Sequence, residues 1–195
     1  MTNYNIPLLD IYDFFGNLIA DNITDPEGRT KWIFPDFATQ ESSLPQITIL
    51  YENPEYEVES AGEYLTSDFD SETGIYSEYF RKKANTKLHI YILTSKVYEK
   101  QVTLNSTNYL FKNKLYNTYL SNQVKNLMLT SRGTVLLYNQ FFNFNVENLE
   151  SPFESNIFTW ASDLRCDLSF YDTWVNEYEG DQLIASYSLT QNITT

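Results

Sequence analysis

Residues 158–170 carry the pattern that most constrains the fold of this chain. Most even positions of the segment are apolar: Phe158, Trp160, Leu164, Cys166, Leu168 and Phe170. The odd positions are mostly polar or charged: Thr159, Asp163, Arg165, Asp167 and Ser169. This alternation predicts a long antiparallel strand, because successive side chains of a strand point to opposite faces. We therefore expect the apolar set, including Trp160, to be buried and Asp163, Arg165 and Asp167 to face water.

Two other segments show helical periodicity. Residues 6–23 place apolar side chains on one face, with Pro7 near the first turn. A second helix is expected from an N-cap within residues 106–108 to about Thr130, with Gly133 as its stop signal. Its predicted apolar positions are Phe111, Leu115, Leu120, Val124, Leu127 and Met128. Lys112, Lys114 and Lys125 lie outside that stripe, so we expect them on the outward side of the helix.

Shorter strands complete the predicted fold. The segment 32–37 contains Pro35, which favours an extended edge piece, and residues 25–28 are typical of a turn. Further strands are expected at residues 47–51, 87–94, 134–138 and 183–189. The order of elements predicts a single α+β domain spanning residues 1–195. It has one mixed or mainly antiparallel sheet, with two principal helices packed on one face.

Three segments show no clear period. Residues 52–80 are acidic and are interpreted as a long loop or hairpin arm, which we expect to order only against a neighbouring molecule. Residues 139–156 contain four phenylalanines and are interpreted as an aromatic loop. The tail at residues 190–195 is expected to be frayed.

The residues that usually carry chemistry are scarce. His89 is the only histidine and Cys166 the only cysteine, so neither a cysteine-ligated zinc site nor a Cys–His pair is indicated. Asp68, Asp70 and Glu72 alternate, but they lack the glycine and the final glutamate of an EF-hand loop. The glycines form no phosphate-binding loop. We therefore predict no catalytic, metal or cofactor-binding residues, no cofactor and no enzymatic activity.

Charge is unevenly distributed along the chain. Residues 1–80 carry 16 acidic and 2 basic side chains, residues 81–133 carry 1 and 10, and residues 134–195 carry 9 and 1, which together give the net charge of −13. A net negative field disfavours binding to DNA or to an anionic membrane. The basic segment either meets acidic side chains of a neighbouring subunit, head to tail, or neutralises acidic side chains of its own subunit. For the first alternative, the candidate interface residues are Arg81, Lys82, Lys83, Lys112, Lys114 and Lys125.

The amino terminus shows neither the positive charge nor the apolar stretch of a secretory signal. Together with the single cysteine, this predicts a reducing compartment. The aromatic content of 16 Tyr, 13 Phe and 3 Trp favours protein-binding surfaces, where tyrosine gives contact area at little entropic cost.

The order of segments resembles the tail-terminator, or tail-completion, proteins of tailed bacteriophages and tailed archaeal viruses. The resemblance rests on the amino-terminal helix 6–23, the aromatic-proline segment 32–35, the Leu-Pro-Gln-Ile strand opening at 44–47, the strand 88–94 and the helix 109–129. It covers residues 6–175, while the segments 52–80 and 139–156 depart from the usual pattern.

The resemblance implies a virion protein at the junction of tail and neck, assembled in the host cytoplasm. It further implies a homo-oligomeric ring, commonly a hexamer, that binds neck and tail-tube proteins and makes no direct sequence-specific contact with nucleic acid or membrane. The acidic charge leaves two alternatives open. One is a nucleic-acid mimic that inhibits a DNA-binding protein, and the other is an enzyme with an unrecognised carboxylate pair.

Overall fold

The computed structural model describes residues 7–29, 31–35, 37, 44–56, 63–137 and 141–179. The elements follow in the order α1 (Pro7–Asn22), β1 (Ile33–Phe34), β2 (Gln46–Tyr51), β3 (Glu55–Tyr56), β4 (Glu63–Asp70), β5 (Ile75–Ser95), β6 (Glu99–Leu104), β7 (Thr107–Lys112), α2 (Asn113–Thr130), α3 (Arg132–Leu137), β8 (Phe141–Leu149), β9 (Phe153–Asn156) and β10 (Thr159–Glu179). The predicted strand at 183–189 and the tail at 190–195 lie outside the described residues.

Most strands belong to one mixed sheet. Its path is β1-β2-β5-β10-β8, with β3 and β4 also paired to β5 and β9 paired to β10. β1 runs parallel to β2, whereas β2–β5, β4–β5, β8–β10 and β9–β10 are antiparallel. A separate two-stranded sheet joins β6 to β7. The predicted α+β class with a mixed, mainly antiparallel sheet is confirmed, as is the edge position of the segment that contains Ile33 and Phe34.

The described residues divide between two compact units. The first comprises those within Met1–Pro7, Tyr56–Ala84 and Tyr171–Thr195, and the second those within Leu8–Glu55 and Asn85–Phe170. The 21-residue strands β5 and β10 contribute residues to both units.

The core of the second unit begins with α1. Ile11, Phe15 and Ile19 are fully buried at intervals of four residues, which is the spacing of one helix face. Phe15 contacts Phe144 of β8 with ring centroids 5.5 Å apart. Each fully buried side chain of this size stabilises the fold by about 1.5–3 kcal/mol. The predicted amphipathic helix is confirmed, and Gly16 does not interrupt it.

Residues 99–112 form the β6–β7 hairpin, not the start of α2. The prediction of a helix from residues 106–108 is therefore wrong, and Phe111 and Lys112 belong to β7. Asn105 and Ser106 have φ angles of 50° and 65°, as in the two-residue turns that suit the twist of a hairpin. β-branched and aromatic residues flank this turn and favour strands over helix. The predicted apolar position Leu115 is 57% exposed, whereas Leu120, Val124 and Met128 are buried.

Asn117 connects α2 to two central strands of the sheet. Its Nδ2 donates hydrogen bonds to the carbonyl of Ile92 in β5 at 2.8 Å and to the carbonyl of Trp160 in β10 at 3.2 Å. Its Oδ1 accepts a hydrogen bond from the Ser162 hydroxyl at 2.5 Å. Asn117 and Ser162 are both fully buried, so each depends on the other to satisfy its polar atoms.

Two further predictions are corrected after α2. Residues 132–137 form helix α3 instead of a strand, because the Val135 N–H donates to the Ser131 carbonyl at 2.9 Å and continues the helical chain path through Gly133. The segment interpreted as an aromatic loop contains β8 and β9, both paired with β10. In β8, Phe144 is buried between the exposed residues Asn143 and Asn145, so a regular strand alternation lies within this Asn-rich segment.

The long strand at the end of the chain is confirmed, but its predicted wet face is wrong. Leu164, Cys166, Leu168 and Phe170 are buried as expected. Asp163 is also buried, with 2% exposure, and Trp160 is only half-buried. The carboxylate of Asp163 is tolerated inside because His89 and Arg165 contact it. The predicted strands at 47–51 and 87–94 and the turn at 25–28 are confirmed.

Candidate protein-binding surfaces

The first candidate surface is a β-hairpin, which we call the arm (residues 63–81). β4 pairs with the first part of β5 in a register that runs from Glu63 opposite Arg81 to Asp70 opposite Ile75. Every residue of β4 except Ser67 is exposed. The exposed side chains include Tyr64 at 52%, Leu65 at 43% and Phe69 at 57%. Large apolar groups on an exposed strand are typical of a surface that binds protein.

A tight turn closes the arm at residues 71–74. Asp70 organises it, because its carboxylate accepts hydrogen bonds from the Thr73 hydroxyl at 2.7 Å and the Glu72 N–H at 2.9 Å. These hydrogen bonds hold the pKa of Asp70 below its usual value. Gly74 follows with φ +69°, a conformation that L side chains rarely adopt. The turn therefore fixes the register of a hairpin within residues 52–80, the segment predicted from sequence to be a long loop or hairpin arm.

Two of the predicted interface cations lie at the base of the arm, where both contact residues of the first unit. Arg81 Nε donates to Glu63 at 2.7 Å, and its guanidinium lies 4.4 Å from the ring centroid of Tyr171. Lys82 Nζ lies 5.7 Å from the ring centroid of Tyr56. The third predicted cation, Lys83, is half-buried.

Aromatic contacts connect the arm to β10 within the first unit. The Phe80 ring stacks on Trp174 at 5.7 Å and also meets Tyr64 edge-on at 5.7 Å. Tyr76 lies 6.3 Å from Tyr178. Phe80 therefore anchors the arm at its base, while Leu65 and Phe69 remain exposed farther along β4.

The second candidate surface is a cavity of about 660 Å³ in the second unit, which we call the groove. It lies among the end of α1, strand β6 and helix α2, and its lining includes Asn22, Gln101, Val102, Tyr119, Gln123 and Asn126. Two ring contacts hold the β6–β7 hairpin against α2: Tyr98 lies 4.8 Å from Tyr116, and Phe111 stacks on Tyr119 at 4.7 Å. The groove thus combines aromatic rings with amide side chains, a mixture common where proteins bind protein.

The groove is lined almost entirely by uncharged side chains. Lys100 is the one charged side chain among its lining residues, and its Nζ lies 3.9 Å from the Glu27 carboxylate. Burial raises the pKa of Tyr98 and of Tyr116, so both phenols stay neutral at physiological pH. The Tyr98 hydroxyl also donates to the Glu27 carboxylate, which further disfavours its ionisation.

The other predicted interface cations lie at the two ends of α2. Lys112 precedes the helix and pairs with Glu99 across the β6–β7 hairpin at 2.7 Å. Lys114 is exposed, with its Nζ 5.5 Å from the ring centroid of Trp160. Lys125 is half-buried about three turns later. Exposed leucines accompany them, namely Leu115 at 57% and Leu129 at 52%.

Several cations of the basic segment are neutralised within the chain. Arg81, Lys87, Lys96, Lys100 and Lys112 form ion pairs with Glu63, Glu147, Glu154, Glu27 and Glu99 respectively. Four of these five partners belong to the acidic flanking segments. The described structure therefore supports the intrachain alternative for these cations and directs attention to Lys114, Lys125 and Arg132 as carriers of surface charge.

A polar cluster around the buried Asp163 was missed by the sequence interpretation. His89 Nδ1 lies 3.1 Å from Asp163, and its Nε2 lies 3.3 Å from Glu52. Arg165 contacts the same Asp163 carboxylate at 2.8 Å. Both ring nitrogens of His89 thus face carboxylates, an arrangement that connects β5 to β10 and to Glu52, the residue after β2, within the second unit. The alternation in β10 concealed it, because a buried ion pair and a solvated charge give the same sequence pattern.

The structure also bears on the cysteine, on metal binding and on membrane crossing. Cys166 is buried, as predicted, and burial raises the pKa of its thiol to about 12. Within the part of the chain that the structure describes, no three His, Cys, Asp or Glu side chains are grouped so as to hold a metal ion. None of the described helices is both long and apolar enough to cross a membrane.

No protein-family model matches the chain, and no curated protein has a significantly similar sequence.

Proposed function

We propose that this chain is a structural assembly protein of the tail-terminator kind. In this proposal it forms a homo-oligomeric ring at the head-proximal end of a viral tail tube and joins the tube to neck proteins. The observation that carries the proposal is the arm, a strand pair in which β4 exposes three large side chains, Tyr64, Leu65 and Phe69. The resemblance in the order of elements supplies the kind of assembly.

The physical argument concerns the stability of such an arm. A two-stranded hairpin is marginally stable in water, because it buries little apolar surface. Covering Phe69, Leu65 and Tyr64 with another protein removes apolar area from water at about 25 cal/mol per Å². Three exposed groups of this kind on one strand add little to the stability of a monomer. Their presence is better explained by a partner protein that covers them.

The proposal also includes the position of the two main helices within the α+β fold. We place α1 and α2 on one face of the sheet, as expected from the sequence pattern. Two contacts support this placement: the Phe15 ring against Phe144 of β8, and the hydrogen bonds of Asn117 to backbone carbonyls of β5 and β10. Exposed apolar side chains also lie on the β6–β7 hairpin, namely Leu104, Tyr109 and Leu110.

Electron microscopy of the purified chain tests the proposal. We expect annular particles with rotational symmetry, and their addition to polymerising tail tubes should stop elongation at one end. A chain that forms no closed particles and leaves tube growth unchanged would refute the assignment. Formation of a salt-sensitive complex with a DNA-binding protein would instead favour the nucleic-acid-mimic alternative.

A further inference from the structure

We propose that the groove accepts a strand: residues 183–189 of a second copy, which we call the donor segment, pair along the edge of β6 and lie against α2. The inference rests on the proposed function and goes further by naming the surfaces that join one copy to the next. A contact between the donor segment of one subunit and the groove of another is head-to-tail, so it can close into a ring.

One wall of the groove includes the edge of a strand. Four consecutive residues of β6, 100–103, line the groove, although neighbouring side chains of a strand point to opposite sides. The backbone edge of β6 therefore forms part of this wall. Among the described residues β6 pairs with β7 alone, so its other edge has no strand partner there. The N–H and C=O groups of such an edge are a template for a further extended segment.

Helix α2 forms the opposite wall. Tyr119, Gln123 and Asn126 all line the groove, and their intervals of four and three residues are those of one helix face. On β6, Val102 is half-buried between the exposed residues Gln101 and Thr103, so the side of β6 that carries Val102 is the inner one. A strand added at this edge would place alternate side chains in the groove and the others in water.

The groove offers an occupant no unpaired charge. Lys100 is the one charged side chain among the described lining residues. Its Nζ donates to the Pro26 carbonyl and lies 3.9 Å from the Glu27 carboxylate. A charged segment would lose hydration here without gaining a partner of opposite charge. The groove therefore suits an uncharged segment, and the acidic arm does not meet that requirement.

The donor segment has the matching chemistry. It belongs to residues 182–195, which follow β10, the last strand that the structure describes, and contain no charged side chain. Its odd positions are apolar, and from residue 186 the even positions carry hydroxyls: Leu183, Ala185, Tyr187 and Leu189, then Ser186, Ser188 and Thr190. This alternation gives a strand one apolar side for Val102 and α2 and one mainly polar side for water. Its seven residues match the six residues of β6 in length.

The proposed ring requires the donor segment to come from a second copy. Each subunit of a ring must both give and accept the same contact, and each copy has one donor segment and one groove. A donor segment that occupied the groove of its own subunit would leave neither half available to a neighbour. The experiment below therefore measures the two arrangements separately.

Two variants of the full chain separate the halves of the interface. In the segment variant, Ile184→Pro with Tyr187→Pro removes two backbone N–H groups. One of these positions is even and the other odd, so one of the lost N–H groups faces β6 whichever side of the segment pairs. In the groove variant, Gln101→Glu with Asn126→Glu places unpaired charge at two exposed lining positions.

Matched controls make the same kinds of change outside the interface. Gln191→Pro with Thr194→Pro keeps the spacing of the two prolines but lies beyond the donor segment. Asn122→Glu with Ser155→Glu adds two charges at exposed residues that are not among the lining residues of the groove. Circular dichroism establishes that all four variants are folded.

Sedimentation velocity measures the assembly of each variant alone and in mixture. We expect the segment and groove variants to weaken self-association by about tenfold or more, as for loss of central interface contacts, and the controls to associate like the parent. A mixture of the two variants should give a complex limited to about twice 22.9 kDa, because only one intact donor segment and one intact groove can then meet.

A labelled synthetic peptide of residues 182–190 tests the groove directly. Fluorescence polarisation should show saturable binding of the peptide to the segment variant, whose groove is intact. Binding should be about tenfold or more weaker to a chain that carries the substitutions of both variants. The same peptide with Ile184→Pro and Tyr187→Pro should not bind.

The outcomes separate this proposal from the proposed function. If the parent assembles but the peptide does not bind, or both variants assemble like the parent, the strand-acceptor proposal is wrong while the proposed function stands. If only the groove variant fails to assemble, a different segment occupies the groove and the donor segment is refuted. If the peptide binds but the mixture stays monomeric, the second copy is refuted as the source of the segment. A parent that is monomeric at every concentration overturns both proposals.

Discussion

Replacement of Asn117 by alanine tests whether the buried amide network holds α2 to the sheet. Asn117 is fully buried, and its side chain makes four hydrogen bonds, to the carbonyls of Ile92 and Trp160 and from the hydroxyls of Ser121 and Ser162. The variant leaves the buried Ser162 hydroxyl without this acceptor, which costs about 1–3 kcal/mol. The lost volume and the two lost donor bonds raise the total to about 2–4 kcal/mol.

Helix propensity opposes this loss, because alanine is favoured over asparagine in a helix by roughly 0.5 kcal/mol. Asn126→Ala is the matched control, since Asn126 lies exposed on the same helix. We expect the control to be as stable as the parent or slightly more stable. The difference between the two alanine variants then gives the contribution of the buried amide itself.

Urea unfolding followed by circular dichroism and by tryptophan fluorescence measures these free energies. The double variant Asn117→Ala with Ser162→Ala removes both partners, so its loss should be smaller than the sum of the single losses by about 1 kcal/mol. Equal stability of Asn117→Ala and Asn126→Ala would refute the structural role of the network. Strict additivity in the double variant would show that the Ser162–Asn117 bond contributes nothing.

Three further predictions follow from the described contacts. Leu168→Ala, at a residue with 1% exposure, should lower the free energy of unfolding by about 2–5 kcal/mol in urea, whereas Val97→Ala, at 75% exposure, should not. Burial alone would raise the pKa of Asp25, but hydrogen bonds from Arg29 and from backbone N–H groups hold that pKa below its usual value. Its stabilisation is therefore present above the unfolded value near pH 4 and is lost as the pH falls through the folded pKa, so Asp25→Asn should reduce the acid sensitivity of unfolding. Gly74→Ala, at φ +69°, should strain the turn of the arm and speed its proteolysis, while Ser71→Ala should not.

Sequence periodicity predicted the elements whose two faces differ. The face of α1 that carries Ile11 and Phe15 and the apolar side of β10 are both correct, because their buried apolar side chains recur at the helical and strand periods. The start of α2 was misplaced because Phe111, four residues before Leu115, fits a helical stripe as well as a strand. That ambiguity was resolved by the turn at Asn105 and Ser106, whose left-handed backbone is a tertiary result.

The candidate surfaces were predicted only in part. Acidity and missing periodicity identified the region of the arm, but its hairpin depends on the pairing of β4 with β5, a long strand whose first half has no simple alternation. The groove could not be predicted from the sequence, because it forms where three elements distant in sequence, α1, β6 and α2, come together. The buried Asp163 was wrongly expected to face water, since the pattern alone does not show that His89 lies against its carboxylate.

Native mass spectrometry across a range of protein concentrations tests the central claim most directly, namely that copies of this chain assemble with one another. The account predicts a closed oligomer at one fixed multiple of 22.9 kDa, with no larger species as the concentration rises. Salt near 1 M, where the screening length falls to about 3 Å, should shift it towards the monomer. A single species of 22.9 kDa at all concentrations and low salt would contradict the account.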